Sequence, residues 1–198
     1  TLDALSSAAV SSVDIDDNNK LTSLTLGNAI SPFSTASGGD VDITNNDMLA
    51  TIVLNAASAG DVAITNNDGA GLTISGVMGQ VGQTDEESVT ITGNDELASV
   101  SFPNLTTIGG AIIDAVDGNL TINSNGDGVT SISMPNLASV DGNLLMSNTV
   151  SDHYITPALD FTDLAIVDGD LTISRSAGGV VSFPALNTVE LDISITNN

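Results

Sequence analysis

The chain has 198 residues and carries 25 acidic residues against two basic ones, which gives a formal net charge of −23 at pH 7. This charge argues against nucleic acid and anionic membrane surfaces as partners, because both need lysine and arginine to neutralise phosphate. Hydrophobic residues still make up 41% of the chain, so the composition predicts a folded domain rather than a disordered acidic segment. A folded, acidic, lysine-poor chain is expected to work outside the cell, in salt or in a calcium-containing medium.

The side chains available for a core are small and regular. Aromatic residues make up only 3% of the chain, and cysteine and tryptophan are absent. The core must therefore be built from valine, isoleucine, leucine and alanine, which suit stacked layers of β-strands. No apolar run reaches the length of a membrane span, so membrane insertion is not expected. No signal-peptide pattern is visible at the start of the sequence.

A short phrase recurs along the chain. It consists of two apolar residues separated by one residue and followed by a turn rich in asparagine and aspartate, as in "VDITNND" and "VAITNND". The repeats start 21 to 31 residues apart, with a mean near 26, and a period in this range indicates a solenoid. The phrase begins at Val13, Val41, Val62, Val89, Leu120, Leu144, Leu171 and Ile193.

Within each unit the apolar residues alternate with a period of two, which predicts short β-strands. The recurring phrase is the first strand of a unit. A second strand is predicted at residues 21–26, 48–54, 97–102 and 129–134. A third element, with a Leu-x-x-Ile/Val pair, is predicted at residues 102–110, 134–142, 161–169 and 183–191.

These elements predict an all-β fold, a parallel β-solenoid of seven to eight coils with about three short strands per coil. Residues 1–198 form one domain in this interpretation. Stacking would place Ile43, Ile64, Ile91, Ile122 and Ile173 in one buried column. The asparagines at the corners would then hydrogen-bond from coil to coil. Protruding loops are predicted at residues 29–39, 76–87 and 147–160.

The third element resembles the repeat of a known family. "FPNLTTIGG" and "MPNLASVDGNLLMSN" are similar to the repeat of receptor L domains, the leucine-rich-repeat-like β-helices of insulin- and EGF-receptor-type proteins. The same pattern occurs in fungal cell-wall proteins and bacterial surface proteins. The resemblance covers residues 88–198 well and residues 13–87 loosely. The lack of cysteine and tryptophan brings the chain closer to the cell-wall and bacterial versions, which implies a place at the cell surface.

Aspartates recur at the turn that follows the first strand. Stacked carboxylates about 4.8 Å apart repel each other unless salt or a divalent cation lies between them. Calcium is therefore a candidate cofactor, bound at these turns, and the alternative is a solvated acidic face. The candidate ligands are Asp16, Asp17, Asp47, Asp68, Asp95 and Asp127.

The sequence gives little sign of catalysis. His153 is the only histidine, and no cysteine or placed serine nucleophile accompanies it. Pairs of carboxylates that could cleave a polysaccharide are expected by chance in so acidic a chain. The chain is therefore not expected to be an enzyme. Two sequons, at Asn104 and Asn119, are glycosylation candidates in a eukaryotic secretory host only.

Neither end of the sequence contains a pattern that would cap a solenoid. Two explanations fit: the sequence is a fragment of a longer solenoid, or copies stack end to end. In the second case the interface would contain Leu2 and Leu5 of one copy and Ile193 and Ile195 of the next.

Taken together, the sequence predicts an extracellular or cell-surface structural or adhesive protein that stacks head to tail into a filament. The alternative is a surface module that binds a glycan or a protein on one strand face. A polysaccharide-acting enzyme is the third possibility.

Overall fold

The computed structural model of the protein describes residues 9–30, 32–35, 39–82, 87–110, 118–126, 128–147, 158–175 and 181–196. All of the regular secondary structure in these residues consists of β-strands, so the predicted all-β class is confirmed. The strands, numbered β1 to β22 along the chain, form three parallel sheets. No helix in the described residues has the length and apolar character needed to cross a membrane.

The recurring phrase forms the first sheet, which has eight strands. In spatial order they are β2 (Val13–Asp16), β5 (Val41–Thr44), β8 (Val62–Thr65), β11 (Val89–Thr92), β14 (Leu120–Asn123), β17 (Leu144–Ser147), β20 (Leu171–Ser174) and β22 (Ile193–Thr196).

The second and third sheets complete each coil. The second sheet contains β3 (Ser23–Leu26), β6 (Thr51–Leu54), β9 (Leu72–Ser75), β12 (Leu97–Ser101), β15 (Ser131–Ser133) and β18 (Ala158–Asp160). The third contains β1 (Ala9–Val10), β4 (Phe33–Thr35), β7 (Ala56–Ala59), β10 (Gln80–Val81), β13 (Thr107–Ile108), β16 (Ser139–Val140), β19 (Ile166–Val167) and β21 (Thr188–Val189).

The register of the first sheet is the one that the repeat predicts. Val13 pairs with Val41, and Val41 pairs with Val62. The same pairing continues through the remaining strands to Leu171 and Ile193. The eight starts read from the sequence therefore lie directly above one another, which confirms a β-solenoid with about three strands per coil.

The core is a set of stacked apolar columns inside the coils. Ile43, Ile64, Ile91, Ile122 and Ile173 are all buried, as predicted. Met146 takes the place of isoleucine between Ile122 and Ile173. Three phenylalanines, Phe33, Phe102 and Phe161, are the largest fully buried side chains. Because each layer repeats the layer below, the interior is filled without tryptophan or disulfides.

The three predicted loops are only partly loops, and this is a correction. Strand β4 lies within residues 29–39, β10 within residues 76–87 and β18 within residues 147–160. The third strands of the early coils, such as "FST" and "AASA", lack the Phe/Met-Pro element of the later coils. They are paired in the ladder nevertheless. These strands are two to four residues long and do not repeat the apolar alternation of the first strand, so the neighbouring coils determine their position.

A tight turn ends the first strand in most coils. The residue after the strand has a positive φ near 55° at Asp17, Asn45, Asn66, Ser124 and Arg175. Asparagine and aspartate tolerate this left-handed conformation better than other non-glycine residues, which explains their recurrence at this position.

Candidate functional site: the amide ladders and the last coil

A buried ladder of asparagine side chains runs along the corner that follows the first sheet. Asn46, Asn67, Asn94 and Asn125 occupy equivalent positions in four successive coils, and all four are buried. The Oδ1 atom of Asn67 accepts hydrogen bonds from the backbone N–H of Asn46 at 3.2 Å and from its Nδ2 at 2.9 Å. The contacts repeat from Asn67 to Asn94 and from Asn94 to Asn125. This confirms the predicted hydrogen bonding between coils.

Each amide also donates backwards to the main chain of the preceding coil. The Nδ2 of Asn46 donates to the carbonyl oxygen of Ile15 at 3.0 Å, and that of Asn67 donates to Ile43 at 2.8 Å. Asn94 and Asn125 donate in the same way to Ile64 and Ile91. A buried amide without partners costs several kcal/mol, so the ladder is stable only while the coils keep this register.

The ladder begins at Asn18, where it is incomplete. The backbone N–H of Asn18 donates to Asn46 Oδ1 at 3.0 Å, as in the later coils. Its Nδ2 donates to the carbonyl oxygen of Asp16 in its own coil. Its Oδ1 accepts no hydrogen bond from the described residues, and the residue is exposed. Within the part of the chain that the structure describes, Asn18 therefore has the ladder contacts on one side only.

A second ladder lies at the corner that precedes the first sheet. Here the backbone N–H of each coil donates to a side-chain oxygen of the coil before it. Asn143 donates to Asn119 Oδ1 at 2.8 Å, and Asp170 donates to Asn143 Oδ1 at 2.8 Å. The sequence analysis did not predict this ladder. The ladder consists of Asp40, Asp61, Ser88, Asn119, Asn143, Asp170 and Asp192.

The aspartates proposed as calcium ligands occupy different positions in their coils. This corrects the prediction that their carboxylates stack in one column at the turn after the first strand. Asp16 is the last residue of β2, and its carboxylate accepts hydrogen bonds from Thr44 Oγ1 at 2.8 Å and Asn45 Nδ2 at 2.9 Å. Asp17 has the left-handed conformation and accepts from Asn19 Nδ2. The remaining described ligands, Asp47, Asp68 and Asp95, follow the ladder asparagines and are exposed.

Calcium binding stays a prediction. Within the described residues, no group of three or more histidine, cysteine, aspartate or glutamate side chains is arranged to hold a metal ion. Asp127 lies outside the described residues. The backbone N–H of Asp95 donates to Asp68 Oδ1 at 3.3 Å, so this carboxylate makes a contact between coils without a cation.

The surroundings of two aspartates disfavour the ionised form of their side chains. Burial raises the pKa of Asp42, and the nearby carboxylates of Asp40, Asp14 and Asp61 raise it further. Burial and the carboxylate of Asp168 raise the pKa of Asp141, although a hydrogen bond from Ser139 opposes them. The opposite holds for Asp16, where the hydrogen bonds from Thr44 and Asn45 lower the pKa.

The two sequon asparagines lie in different environments. Asn104 is exposed at a turn of the third element, where a glycan would have room. Asn119 is half-buried, and its Oδ1 accepts from the backbone and the side chain of Asn143. Glycosylation at either position stays a prediction. His153 lies outside the described residues.

The last coil exposes residues whose equivalents are buried in the internal coils. Ile193 and Ile195 of β22 are 60% and 50% exposed, whereas their register partners Leu171 and Ile173 in β20 are 1% and 0% exposed. Leu191, just before β22, is 57% exposed. Strand β22 is the last strand of its sheet, so the described residues contain no further strand to cover these side chains. Leu2 and Leu5, the predicted partners in the interface, lie outside the described residues.

The outer face of the first sheet is uncharged from the third strand onward. Threonine or serine occupies nine of the twelve outward positions in β8, β11, β14, β17, β20 and β22. The other three positions hold Ala63, Asn123 and Leu145. The acidic side chains lie at the corners on both sides of this face, so it forms a neutral strip on a strongly acidic protein. The sequence interpretation did not single out this strip. The nine residues are Thr65, Thr90, Thr92, Thr121, Ser147, Thr172, Ser174, Ser194 and Thr196.

Comparisons with protein-family models, with curated proteins and with solved structures give no match for this chain. The resemblance to receptor L domains therefore depends on the repeat residues alone.

Replacing Asn94 with alanine tests the first ladder. The variant would leave the Asn67 backbone N–H and the Ile64 carbonyl oxygen without their side-chain partner and would open a small cavity. We expect it to lose about 2–4 kcal/mol of unfolding free energy, measured by urea denaturation followed by circular dichroism. The matched control is Asp95→Ala, at the exposed neighbouring position. Equal stability of the two variants would show that the ladder contributes little.

Replacing Asp42 with asparagine tests the acidic cluster. Because the pKa of Asp42 is raised in the folded state, its ionised form destabilises the fold above that pKa. The penalty disappears once the pH falls below the ordinary aspartate pKa, where the group is protonated in both states. Asp42→Asn should therefore melt at a higher temperature than the parent chain at pH 7, and the difference should vanish at strongly acidic pH.

The variant Asp16→Asn is the matched comparison, and its melting temperature at pH 7 should be lower than that of the parent chain. The lowered pKa of Asp16 means that its carboxylate stabilises the fold at neutral pH, and this contribution is lost as the pH falls through the lowered pKa. Melting curves of both variants and the parent chain from pH 7 downwards would provide the test. A lower melting temperature for Asp42→Asn at pH 7 would contradict the assignment.

Proposed function

We propose that this chain is a non-enzymatic structural or adhesive protein of the extracellular space or cell surface, whose copies stack head to tail into filaments. One observation carries the proposal: the inward side chains of the last coil are half exposed or more, although their equivalents in the preceding coil are fully buried. In this account the N-terminal coil of a second copy covers them.

The exposed edge favours this kind of contact. Full burial of a leucine or isoleucine side chain is worth about 1.5–3 kcal/mol, and Leu191, Ile193 and Ile195 retain roughly half or more of their exposed area. Natural edge strands are usually protected by lysine, proline or a bulge. Strand β22, with the sequence "ISIT", contains neither lysine nor proline. An added strand would also continue the main-chain hydrogen bonds of the sheet.

The geometry of the contact determines the shape of the assembly. The two surfaces belong to opposite ends of the solenoid, so the contact is heterologous. Such a contact does not close on itself when successive copies lie along one axis, and it produces an open filament. At the N-terminal end, β2 is the first strand of its sheet, and its inward Ile15 is half-buried.

Charge sets the conditions for assembly. Each copy has a formal net charge of −23, so two copies repel each other at low ionic strength. The C-terminal edge itself is uncharged over residues 193–196. Salt would screen the long-range repulsion and leave the short-range apolar contact intact. This behaviour fits a protein that works in a saline medium outside the cell.

The neutral strip of threonine and serine favours a second candidate, a module that binds a glycan or a protein on its outer face. Nine hydroxyl groups in two columns could form a regular set of hydrogen bonds. Within the described residues no aromatic side chain is exposed, so the face lacks the stacking platform common in glycan-binding sites. A chain that stays monomeric in the experiment below would favour this candidate.

Replacing Ile195 with lysine tests the stacking directly. The internal coils should stay folded, because each coil contacts only its neighbours. The variant should sediment as a monomer at concentrations where the parent chain forms filaments. The matched control is Ser194→Lys, which places the same charge on the same strand with the side chain on the outer face. It should still assemble.

Sedimentation velocity over a range of protein and salt concentrations would provide the measurement. Circular dichroism of both variants would verify that they are folded. A parent chain that stays monomeric at high protein concentration and in high salt would refute the proposal. Loss of assembly in both lysine variants would show that added charge, rather than the apolar edge, controls the process.

A further inference from the structure

We propose that the neutral strip on the outer face of the first sheet binds the surface of ice. The strip covers β8, β11, β14, β17, β20 and β22. Its partner is the uncharged, repeating lattice of frozen water rather than a second macromolecule. This activity goes beyond the proposed function and does not depend on end-to-end stacking, because the strip lies along the side of the solenoid.

The strands of the strip hold their outward side chains on a regular net. Each of the five successive strand pairs is joined through four consecutive residues without a register shift. Outward side chains therefore repeat about every 4.8 Å from coil to coil and about every 6.6 Å along a strand. These two spacings are close to those of the water oxygens on the prism faces of hexagonal ice.

The nine hydroxyl groups of the strip are available to water. None of them has a hydrogen-bond partner in the part of the chain that the structure describes. Other threonines differ: Thr106 Oγ1 donates to the carbonyl oxygen of Gly79 at 2.9 Å. Thr130 donates in the same way to Ala98 at 3.0 Å. Because a hydroxyl group both donates and accepts, the nine groups can bind a layer of ordered water molecules in either proton orientation.

Charge and rigidity both favour an uncharged solid as the partner. The chain carries 25 acidic residues, yet the twelve outward positions of the strip hold no charged side chain. A charged group holds a hydration shell of its own, which does not match the ice lattice. The isoleucine column and the amide ladder fix the backbone beneath the strip. Binding therefore costs little conformational entropy.

The area of the strip argues against a protein as its partner. Six strands of four residues cover roughly 400 Å², whereas each partner in a stable protein interface buries about 800 Å². A second copy is disfavoured further, because two chains with a formal net charge of −23 repel each other. An ice surface carries no net charge and has no outline to match. Each exchange of a water contact for a hydroxyl contact contributes little, but the net makes many such contacts at once.

The outer face of the second sheet is less regular and provides a control surface. Serine and threonine predominate there as well. The pairing of β12 with β9 shifts register between Leu97 and Ser99, which breaks the net. The last strand of this sheet, β18, also places the carboxylate of Asp160 beside Ser133. We therefore assign ice binding to the first sheet and not to the second.

Replacing Thr92 with tyrosine tests the strip, because the protruding ring would hold the neighbouring hydroxyl groups away from a flat surface. The matched control is Ser101→Tyr, which places the same ring on the second sheet in the same coil. The parent chain and Ser101→Tyr should enter slowly growing ice and inhibit its recrystallisation. Thr92→Tyr should need at least about tenfold more protein for the same inhibition. Circular dichroism would verify folding, and Thr172→Tyr repeats the test in another coil.

A parent chain that growing ice excludes as it excludes an inert protein would overturn the proposal. Equal loss of inhibition in Thr92→Tyr and Ser101→Tyr would overturn the assignment to the strip. Retention on powdered cellulose or chitin, together with exclusion from ice, would identify a glycan as the partner instead. Sedimentation velocity separates this result from end-to-end stacking, since both tyrosine variants should assemble as the parent chain does. A chain that stays monomeric and still binds ice would refute the stacking alone.

Discussion

The whole structure depends on each coil lying in register on the coil below. Two interactions enforce this register at the same corner. The inward isoleucines of the first sheet form one apolar column, and the buried amides beside it bond to both neighbouring coils. A slip of one residue would expose the isoleucine column and at the same time leave the buried amides without hydrogen-bond partners. Each interaction therefore makes the other more costly to break. The unequal lengths of the units do not disturb this arrangement, because the extra residues lie between the strands.

This constraint explains how so acidic a chain can fold. Carboxylates lie mostly at the corners, where solvent surrounds them, and several accept backbone hydrogen bonds in the second ladder. A carboxylate that accepts an N–H is stabilised in its charged form, which offsets part of the repulsion along the column. The outer face of the first sheet carries uncharged side chains from β8 onward. The exception is the start of the stack, where Asp14, Asp40, Asp42 and Asp61 come together and the pKa of Asp42 is raised.

Much of this architecture could be predicted from the sequence, and the limits have physical reasons. The alternation in "VDIT" and its seven relatives predicted the first sheet, its register and the buried isoleucine column. The amide ladder followed from the asparagine that recurs after each of the first five strands of the first sheet. Strands such as Gln80–Val81 and Ala56–Ala59 were missed because "QV" is too short to alternate and "AASA" does not alternate apolar with polar residues as "VDIT" does. Their neighbours hold them in place. The second ladder was missed because its positions hold aspartate, serine or asparagine. Only the geometry shows that these side chains accept the backbone N–H of the equivalent residue in the next coil. The placement of Asp16 apart from Asp47 likewise depends on a shift of three residues along the turn.

An internal coil and a terminal coil have nearly the same sequence, and their surroundings alone distinguish them. "LTIS" in β20 is buried on its inner face, whereas "ISIT" in β22 exposes the equivalent side chains. The central claim is that another copy provides the missing neighbour. Electron microscopy of the purified chain in salt tests it most directly, by the axial repeat of the particles. Eight first-sheet strands at about 4.8 Å each predict filaments with a subunit repeat near 38 Å along their axis. Isolated particles of a single short length at all concentrations would contradict the account.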